Sequence, residues 1–303
     1  MDKQSINQSL VSIIMNCYNG ESYLNESIKS AISQTYKNWE LIFWDNRSKD
    51  KSAEIFKSYK DKRFRYFYSS EHTSLYKARN LAIEKCRGDF IAFLDVDDLW
   101  SKEKLELQMP YFYNPEVGVV FSNLWMLKKN TIKKKLYINR KLPRGKIYNK
   151  LIENYNVGIL ASVIRKKFYL KLKKKFDERF SIIGDFDLFL RLSKICLFES
   201  VQEPLVSYRL HGKNLSIINK EKEIEELEIW LRENTFDLNE FQRRKIQKDI
   251  DYRKFVNLKI DGKYKECIHL LLHSSINPLN IKNLIIFFTP VFILKKLLWY
   301  HQD

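Results

Sequence analysis

The stretch Phe90 to Trp100, FIAFLDVDDLW, drives an apolar run into three carboxylates, Asp95, Asp97 and Asp98. Like charges this close repel, and each loses hydration beside a core. A divalent cation offsets that cost, and so does plain solvent at a strand end. Hard cations such as magnesium or manganese take carboxylate oxygens at roughly 2.0–2.2 Å and keep positions open for phosphate. Asp95 and Asp97 are two residues apart, so strand alternation aims both to one side. Asp98 precedes LWSKEKLEL, where a helix N-cap is the competing reading. Other polar residues also follow short apolar runs: Asn16, Tyr18 and Asn19 after VSIIM, Asp45 and Asn46 after ELIFW. For the latter pair an Asx turn before Ser48 is the plainer alternative. Lys77 and Arg79 in KARN offer cations to an anion. Asp185 opens DFDLFLRL, either as a poised base or as the acidic first turn that a helix dipole prefers.

The elements that must position these residues are legible as patterns. Val11–Met15, Glu40–Trp44, Phe64–Tyr68 and Phe90–Leu94 read as buried strands. Between them, the segment after Asn19-Gly20 places Leu24, Ile28, Ala31 and Ile32 on one helical face. Ser52–Tyr59 and Ser74–Cys86 read as helices. This alternation predicts a parallel α/β sheet of nucleotide-binding type. Such sheets bind ligands beyond the carboxyl ends of their strands, where the polar residues fall. Val117–Trp125 reads as a further strand, Leu205–Val206 as a short strand-like segment before YRLHG, and Glu221–Glu233 and Phe241–Leu272 as helical.

The 303-residue chain is 45% hydrophobic and carries a net charge of +17. That bias suits phosphorylated ligands, an anionic membrane surface or nucleic acid. From Val117 to Ile152 it has ten Lys or Arg and no acidic residue. Cys17, Cys86, Cys196 and Cys267 show no zinc-like spacing and read as reduced, packed thiols of a cytoplasmic protein. The first ten residues have no apolar signal core. Leu284–Leu294, broken by Thr289 and Pro290, falls short of the ~20 residues that a membrane span needs. Together with Lys282, Lys295, Lys296, Trp299 and Tyr300 it has the features of a segment lying in a membrane interface. Packing on the protein's own helices or in a homo-oligomer seam is the competing reading.

Four motifs in order, VSIIMNCYNGESYLNESIKSAISQTYKNWELIFWDNRSKDKS, KARNLAIEKCRGDFIAFLDVDD, GDFDLFLRL and YRLHGKNLS, resemble glycosyltransferase family 2, the inverting enzymes of GT-A fold, over roughly residues 10–216. The resemblance implies a Rossmann-like, mostly parallel sheet flanked by helices, with a nucleotide-binding half (about 10–110), an acceptor-binding half (111–216) and a helical extension (217–303). It implies transfer of a sugar from a nucleotide-diphospho-sugar, UDP-sugar favoured, to a glycan or lipid-linked acceptor in lipopolysaccharide, capsule or other surface glycan assembly. By this resemblance Asn16, Tyr18, Asn19, Asp45, Asn46, Lys77, Arg79, Asp95 and Val96 meet the donor. Asp97 is the chief ligand of Mn2+ or Mg2+, with Asp95 and His211, and Asp185 is the catalytic base. Two positions depart from the pattern. Asn46 stands where a second Asp is usual, and Gly184 where many members have Glu before the base.

Two other classes compete. A sugar nucleotidyltransferase would share the sheet and the carboxylates, but VSIIMNCYNGESYL lacks its Gly-rich phosphate loop. A basic nucleic-acid-binding protein would explain the charge, but no recognisable binding module or basic–aromatic interleaving accompanies it.

Overall fold

The computed structural model describes residues 6, 8–128, 134–212, 214–273 and 281–298. Among these, nine strands form one mixed sheet in the order β3-β2-β1-β4-β8-β6-β9-β5, with β7 on β6. The strands are β1 (Val11–Cys17), β2 (Trp39–Asp45), β3 (Phe64–Tyr68), β4 (Phe90–Phe93), β5 (Leu99–Trp100), β6 (Val117–Lys128), β7 (Lys134–Leu136), β8 (Ser162–Arg165) and β9 (Leu197–Leu210). The half built from β3, β2, β1 and β4 is parallel. Beyond it β8 runs antiparallel to β4 and to β6, and β5 antiparallel to β9.

Composition explains the parallel half. A parallel strand covered on both faces reads as a near-continuous apolar run. VSIIMNC and WELIFWD are such runs, buried throughout save for the half-buried Asn16. Their register sets Val11 beside Trp39 and Cys17 beside Asp45, and Val11 beside Phe90. The helices Glu21–Ile32 and Leu75–Glu84 cover the sheet with their apolar faces. Ser74 caps the second of these, its hydroxyl accepting the Lys77 N–H.

Two expectations are revised. The helix after the carboxylates begins at Lys104 with Glu103 as its cap, so Asp98 is not an N-cap; the short strand β5 intervenes. The strand-like Leu205–Val206 is part of the fourteen-residue β9. Arg165, the last residue of buried strand β8, donates through its guanidinium to the carbonyls of Val117 and Phe112.

The chain divides into two compact units, Met1–Leu151 with Tyr155–Arg209, and Ile152–Asn154 with Leu210–Asp303. The second is helical, with Lys220–Glu233, Glu240–Ile260, Tyr264–His273, Ile281–Phe288 and Val291–Leu298. Gly262, at φ 73°, breaks what the sequence reads as one helical stretch. Phe255, Cys267, Leu271, Ile286 and Leu294 form a core cluster within this unit. The other faces of the last two helices are exposed: Phe288 by 76%, Phe292 by 74% and Ile285 by 59%. No helix among the described residues is long and apolar enough to cross a membrane. All four cysteines are free and buried.

Candidate active site

The parallel register brings the polar strand ends to one edge. The Asn46 N–H donates to the Cys17 carbonyl (2.8 Å), the Ser69 N–H to that of Asp45 (2.9 Å) and the Leu94 N–H to that of Ile14 (3.0 Å). Each strand thus ends level with its neighbour, and the residues after it gather where α/β sheets take ligands.

Past β1, Asn19 sits at φ 55°, in the left-handed region that asparagine tolerates. Its Oδ1 accepts the Lys49 N–H at 2.8 Å and its own N–H donates to Ser48 Oγ at 3.1 Å. Gly20 leaves room for Val96, whose Cγ2 would lie 2.8 Å from a Cβ there. The Ser27 hydroxyl lies 2.7 Å from both the Val96 and Asp98 carbonyls, fixing the carboxylate loop on the first helix. The Asn16 amide nitrogen is buried without a hydrogen-bond partner, and Tyr18 is half exposed with its ring 4.2 Å from that of His72.

The Asp45–Asn46 pair is turned inward. Asp45 Oδ1 accepts the Ser48 N–H at 2.7 Å, the Asx turn, and Oδ2 accepts the Tyr66 hydroxyl at 2.7 Å. Asn46 Nδ2 donates to the Thr73 carbonyl at 2.8 Å, and its Oδ1 accepts both the N–H and the hydroxyl of Thr73 at 3.1 Å. For either to meet a base directly, one of these partners must be exchanged. His72, 3.0 Å from the Asn46 carbonyl through Nδ1, lies on the same wall. Neither His72 nor Thr73 carries a sequence signal, since both are single polar residues in a loop.

Of the two KARN cations, Arg79 is the one brought to the carboxylates. Its Nη2 lies 3.0 and 3.3 Å from the two oxygens of Asp95, while Lys77 pairs with Glu71 at the surface. Burial works against the Arg79 charge, but Asp95, Tyr76 and Asp185 together hold its pKa above the ordinary value. Its Nε is buried with no hydrogen-bond partner. Burial likewise pushes the Asp95 carboxyl up, against the pull of Arg79 and with Asp97 adding to the rise. Asp98 is fully buried: Oδ1 accepts the Arg209 N–H at 2.9 Å, tying β9 to the loop, and Oδ2 has no hydrogen-bond partner. Burial first, then Asp97 and Asp95, hold its carboxyl well above the usual range.

Asp185 lies in the first turn of the helix Gly184–Ser193. It is half-buried, and its Oδ1 accepts the Phe186 N–H at 2.8 Å. Desolvation raises its pKa to about 6, against the Arg79 charge and the Phe186 N–H. A carboxyl poised there is ionised at neutral pH and basic enough to take a proton. Asp187, two residues on, is occupied by Arg191, whose Nη2 lies at 2.6 Å. Two tyrosines that the sequence reading passed over stand by Asp185. The Tyr76 hydroxyl is 3.5 Å from its Oδ1, and Tyr155, whose ring meets Phe186 at 5.2 Å, feels its charge. His211 falls in the second compact unit, one residue past β9, its N–H donating to Asn214 Oδ1 at 2.6 Å.

Hard oxygen donors at a strand end, an arginine among them and a separate high-pKa carboxyl suit a charged phosphate ester and a proton transfer. This is the GT-A arrangement of a sugar-nucleotide-dependent transferase. Comparison with known proteins agrees. Residues 12–179 match the family model of Glycosyl transferase family 2. The chain is 32% identical over 217 residues, 71% of its length and 82% of the relative's, to the UDP-Glc:alpha-D-GlcNAc-diphosphoundecaprenol beta-1,3-glucosyltransferase WfgD of Escherichia coli. It is 29% identical over 160 residues, 52% of its length and 63% of the relative's, to the putative teichuronic acid biosynthesis glycosyltransferase TuaG of Bacillus subtilis. Its fold matches S. aureus TarS 1-349 in complex with UDP-GlcNAc at TM-score 0.64 and 17% identity, covering 91% of this chain and 78% of that one. The mannosyltransferase PcManGT from Pyrobaculum calidifontis, in complex with GDP-Man and Mn2+, matches at TM-score 0.61 and 13% identity, covering 96% and 88%. The chain belongs to glycosyl transferase family 2 and is a glycosyltransferase.

Proposed function

We propose that this glycosyltransferase moves a hexose, with inversion, from a UDP-sugar to a hydroxyl of a lipid-linked glycan during bacterial surface polysaccharide assembly. The observation that carries the mechanism is the grouping of Asp185, at a pKa of about 6, with the Arg79–Asp95 ion pair. The donor and acceptor rest on the name of the WfgD relative, and the uridine on the UDP-GlcNAc complex of TarS as well.

Asp185 takes the proton of the acceptor hydroxyl while that oxygen attacks the anomeric carbon, opposite the leaving nucleoside diphosphate. Arg79 faces the charge that develops on the leaving group. Asn16, Tyr18, Asn19 and Val96 border the nucleoside. Asp45 and Asn46 shape the wall beside it through Ser48, Tyr66 and Thr73.

A divalent cation fits this donor set. Asp95 and Asp97 offer hard oxygens, and the buried Asp98 Oδ2, which has no hydrogen-bond partner, supports a cation near the acidic turn. No three His, Cys, Asp or Glu side chains among the described residues converge on a common point. A cation that keeps phosphate oxygens needs only one or two protein carboxylates. Asp97 and Asp95 would hold it, and it would neutralise the diphosphate charge.

The enzyme works at the cytoplasmic face of the membrane, where its lipid-linked acceptor lies. The exposed Phe288, Phe292 and Ile285 and the net charge of +17 support docking on anionic lipid. Trp299 and Tyr300 lie outside the described residues.

Release of nucleoside diphosphate from UDP-, GDP- and dTDP-sugars, with EDTA, Mn2+ or Mg2+ and a diphosphoundecaprenol-linked sugar, tests the reading. UDP release that needs both metal and acceptor is expected. Metal-independent turnover, or release from none of the donors, overturns it. Flotation with anionic liposomes tests the membrane clause. The full chain should float at low salt, and a chain ending at Ser275 should stay behind.

A further inference from the structure

Gly184 is glycine for a packing reason rather than a conformational one. A Cβ there would lie 2.6, 2.6 and 2.7 Å from Cδ2, Cε2 and Cζ of Tyr76. Real atoms do not approach so closely, so the tyrosine ring occupies the room that any other side chain at 184 would take. Tyr76 is 2% exposed and firmly seated. Its ring stacks on Phe176 at 5.3 Å, and the Arg79 guanidinium lies 5.4 Å from the ring centre.

The hydroxyl has a specific task. It donates to the Ile182 carbonyl at 2.8 Å and accepts the Asp185 N–H at 3.3 Å. The first N–H groups of a helix have no partner within the helix. The N-cap residue of this one, Ile183, has no polar side chain to offer. Tyr76, from another helix, supplies the acceptor instead. One hydroxyl therefore joins residue 182 to residue 185 across Gly184, at the turn that aims the Asp185 carboxylate. That carboxylate satisfies the next N–H itself, that of Phe186 at 2.8 Å. Tyr76 thus provides one of the bonds that fix the carboxylate and its backbone, and its hydroxyl also lies 3.5 Å from Asp185 Oδ1.

We propose that Tyr76 is the positioning residue of the base Asp185, packed against Gly184 and holding the start of the helix through its hydroxyl. The assignment rests on reading Asp185 as the base. Tyr76 itself gains and loses no proton in the reaction.

Tyr76→Phe keeps the ring and removes the hydroxyl. It should lower kcat about tenfold, the loss of one hydrogen bond on a charged residue's backbone, with donor KM within twofold. The 13Cγ resonance of Asp185, assigned by its disappearance in Asp185→Asn, should move. Gly184→Ala, which forces the ring aside, should lower kcat by at least as much. If it does not fold, Tyr76→Phe decides alone. Unchanged kcat in Tyr76→Phe overturns the proposal, as does a parallel change of kcat and donor KM with the Asp185 resonance unmoved. If wild type releases nucleotide from none of the donors, the base reading has failed. The resonance then still decides whether Tyr76 holds Asp185, and an unmoved resonance refutes it.

Discussion

Glu40 and Asp185 are both acids drawn out of water in the first compact unit, and their surroundings treat them in opposite ways. Glu40 lies near the amino end of β2. Its Oε1 accepts the Ser12 hydroxyl and the Arg87 N–H, each at 2.7 Å, and its Oε2 accepts Arg65 Nη1 at 2.8 Å. Burial alone would raise its pKa, but the hydroxyl, the N–H and the guanidinium outweigh it and hold the carboxyl below the ordinary range. Gly88 makes this possible, because its N–H donates to Ser12 Oγ where a side chain would collide with the Leu10 carbonyl. Beyond the carboxyl ends of the strands the balance reverses. Asp95, Asp98 and Asp185 are all raised, and buried polar atoms of Asn16, Arg79 and Asp98 lack hydrogen-bond partners. Glu40 spends both its oxygens on the fold, whereas beyond the carboxyl ends, where Asp45 and Asn46 are bonded inward, Asn16, Arg79 and Asp98 each keep a buried polar atom without a partner.

The largest break in this comparison should come from Asp97→Ala. Losing a group that stabilises developing charge costs roughly 10²–10³-fold in kcat. The melting temperature should stay near wild type, since half-buried Asp97 is not part of the core. Turnover near wild type in a metal-titrated assay would remove the metal assignment.

Asp185→Asn should reduce transfer by at least ~10²-fold while donor binding persists, as read by calorimetric titration with UDP-sugar. Asp187→Asn should be milder, its partner being Arg191. The pH dependence follows from the raised pKa. Activity should climb as pH rises through about 6, as the base ionises. A raised folded pKa means that the native state holds the proton more tightly than the unfolded chain does. Its stabilising contribution is therefore present at acid pH and lost as pH rises through about 6. Asp185→Asn should then melt above wild type at pH 7, with the difference vanishing toward acid pH. A melting temperature below wild type at pH 7 would contradict the poised carboxyl.

Glu40→Gln should have the smallest effect on chemistry. It should cost about 1–3 kcal/mol of stability by leaving buried donors poorly matched, with kcat of the folded enzyme unchanged. The sign of its pH effect is opposite. A depressed folded pKa contributes stability above the unfolded value, lost as pH falls through the folded one, so Glu40→Gln should flatten the acid side of the stability curve. A kcat loss without loss of stability would mean that the two ends of the sheet are not separate in function.

Much of this was legible in the sequence. VSIIM, ELIFW and FIAF are apolar runs that cannot rest except as buried strands. The residues that follow them must come to one edge once the strands are parallel, so Asn16, Asp45, Asp95 and Asp97 declared their location by position alone. The motif order carried the family, and the apolar run into DVDD placed the acidic turn at a strand end. Tertiary structure decided what depends on partners distant in sequence. Asp98 looks like a helix cap until β9 brings the Arg209 N–H to it, 111 residues away. Asp45 and Asn46 look outward in sequence, but Tyr66 and Thr73 claim their polar atoms. Gly184 looks like a lost acid, and only the ring of Tyr76, 109 positions from Asp185, shows why no side chain fits there. Periodicity and local propensity report on neighbours within a few residues. Whether a buried polar group is satisfied or left for a ligand is settled by groups that the chain brings back from far away.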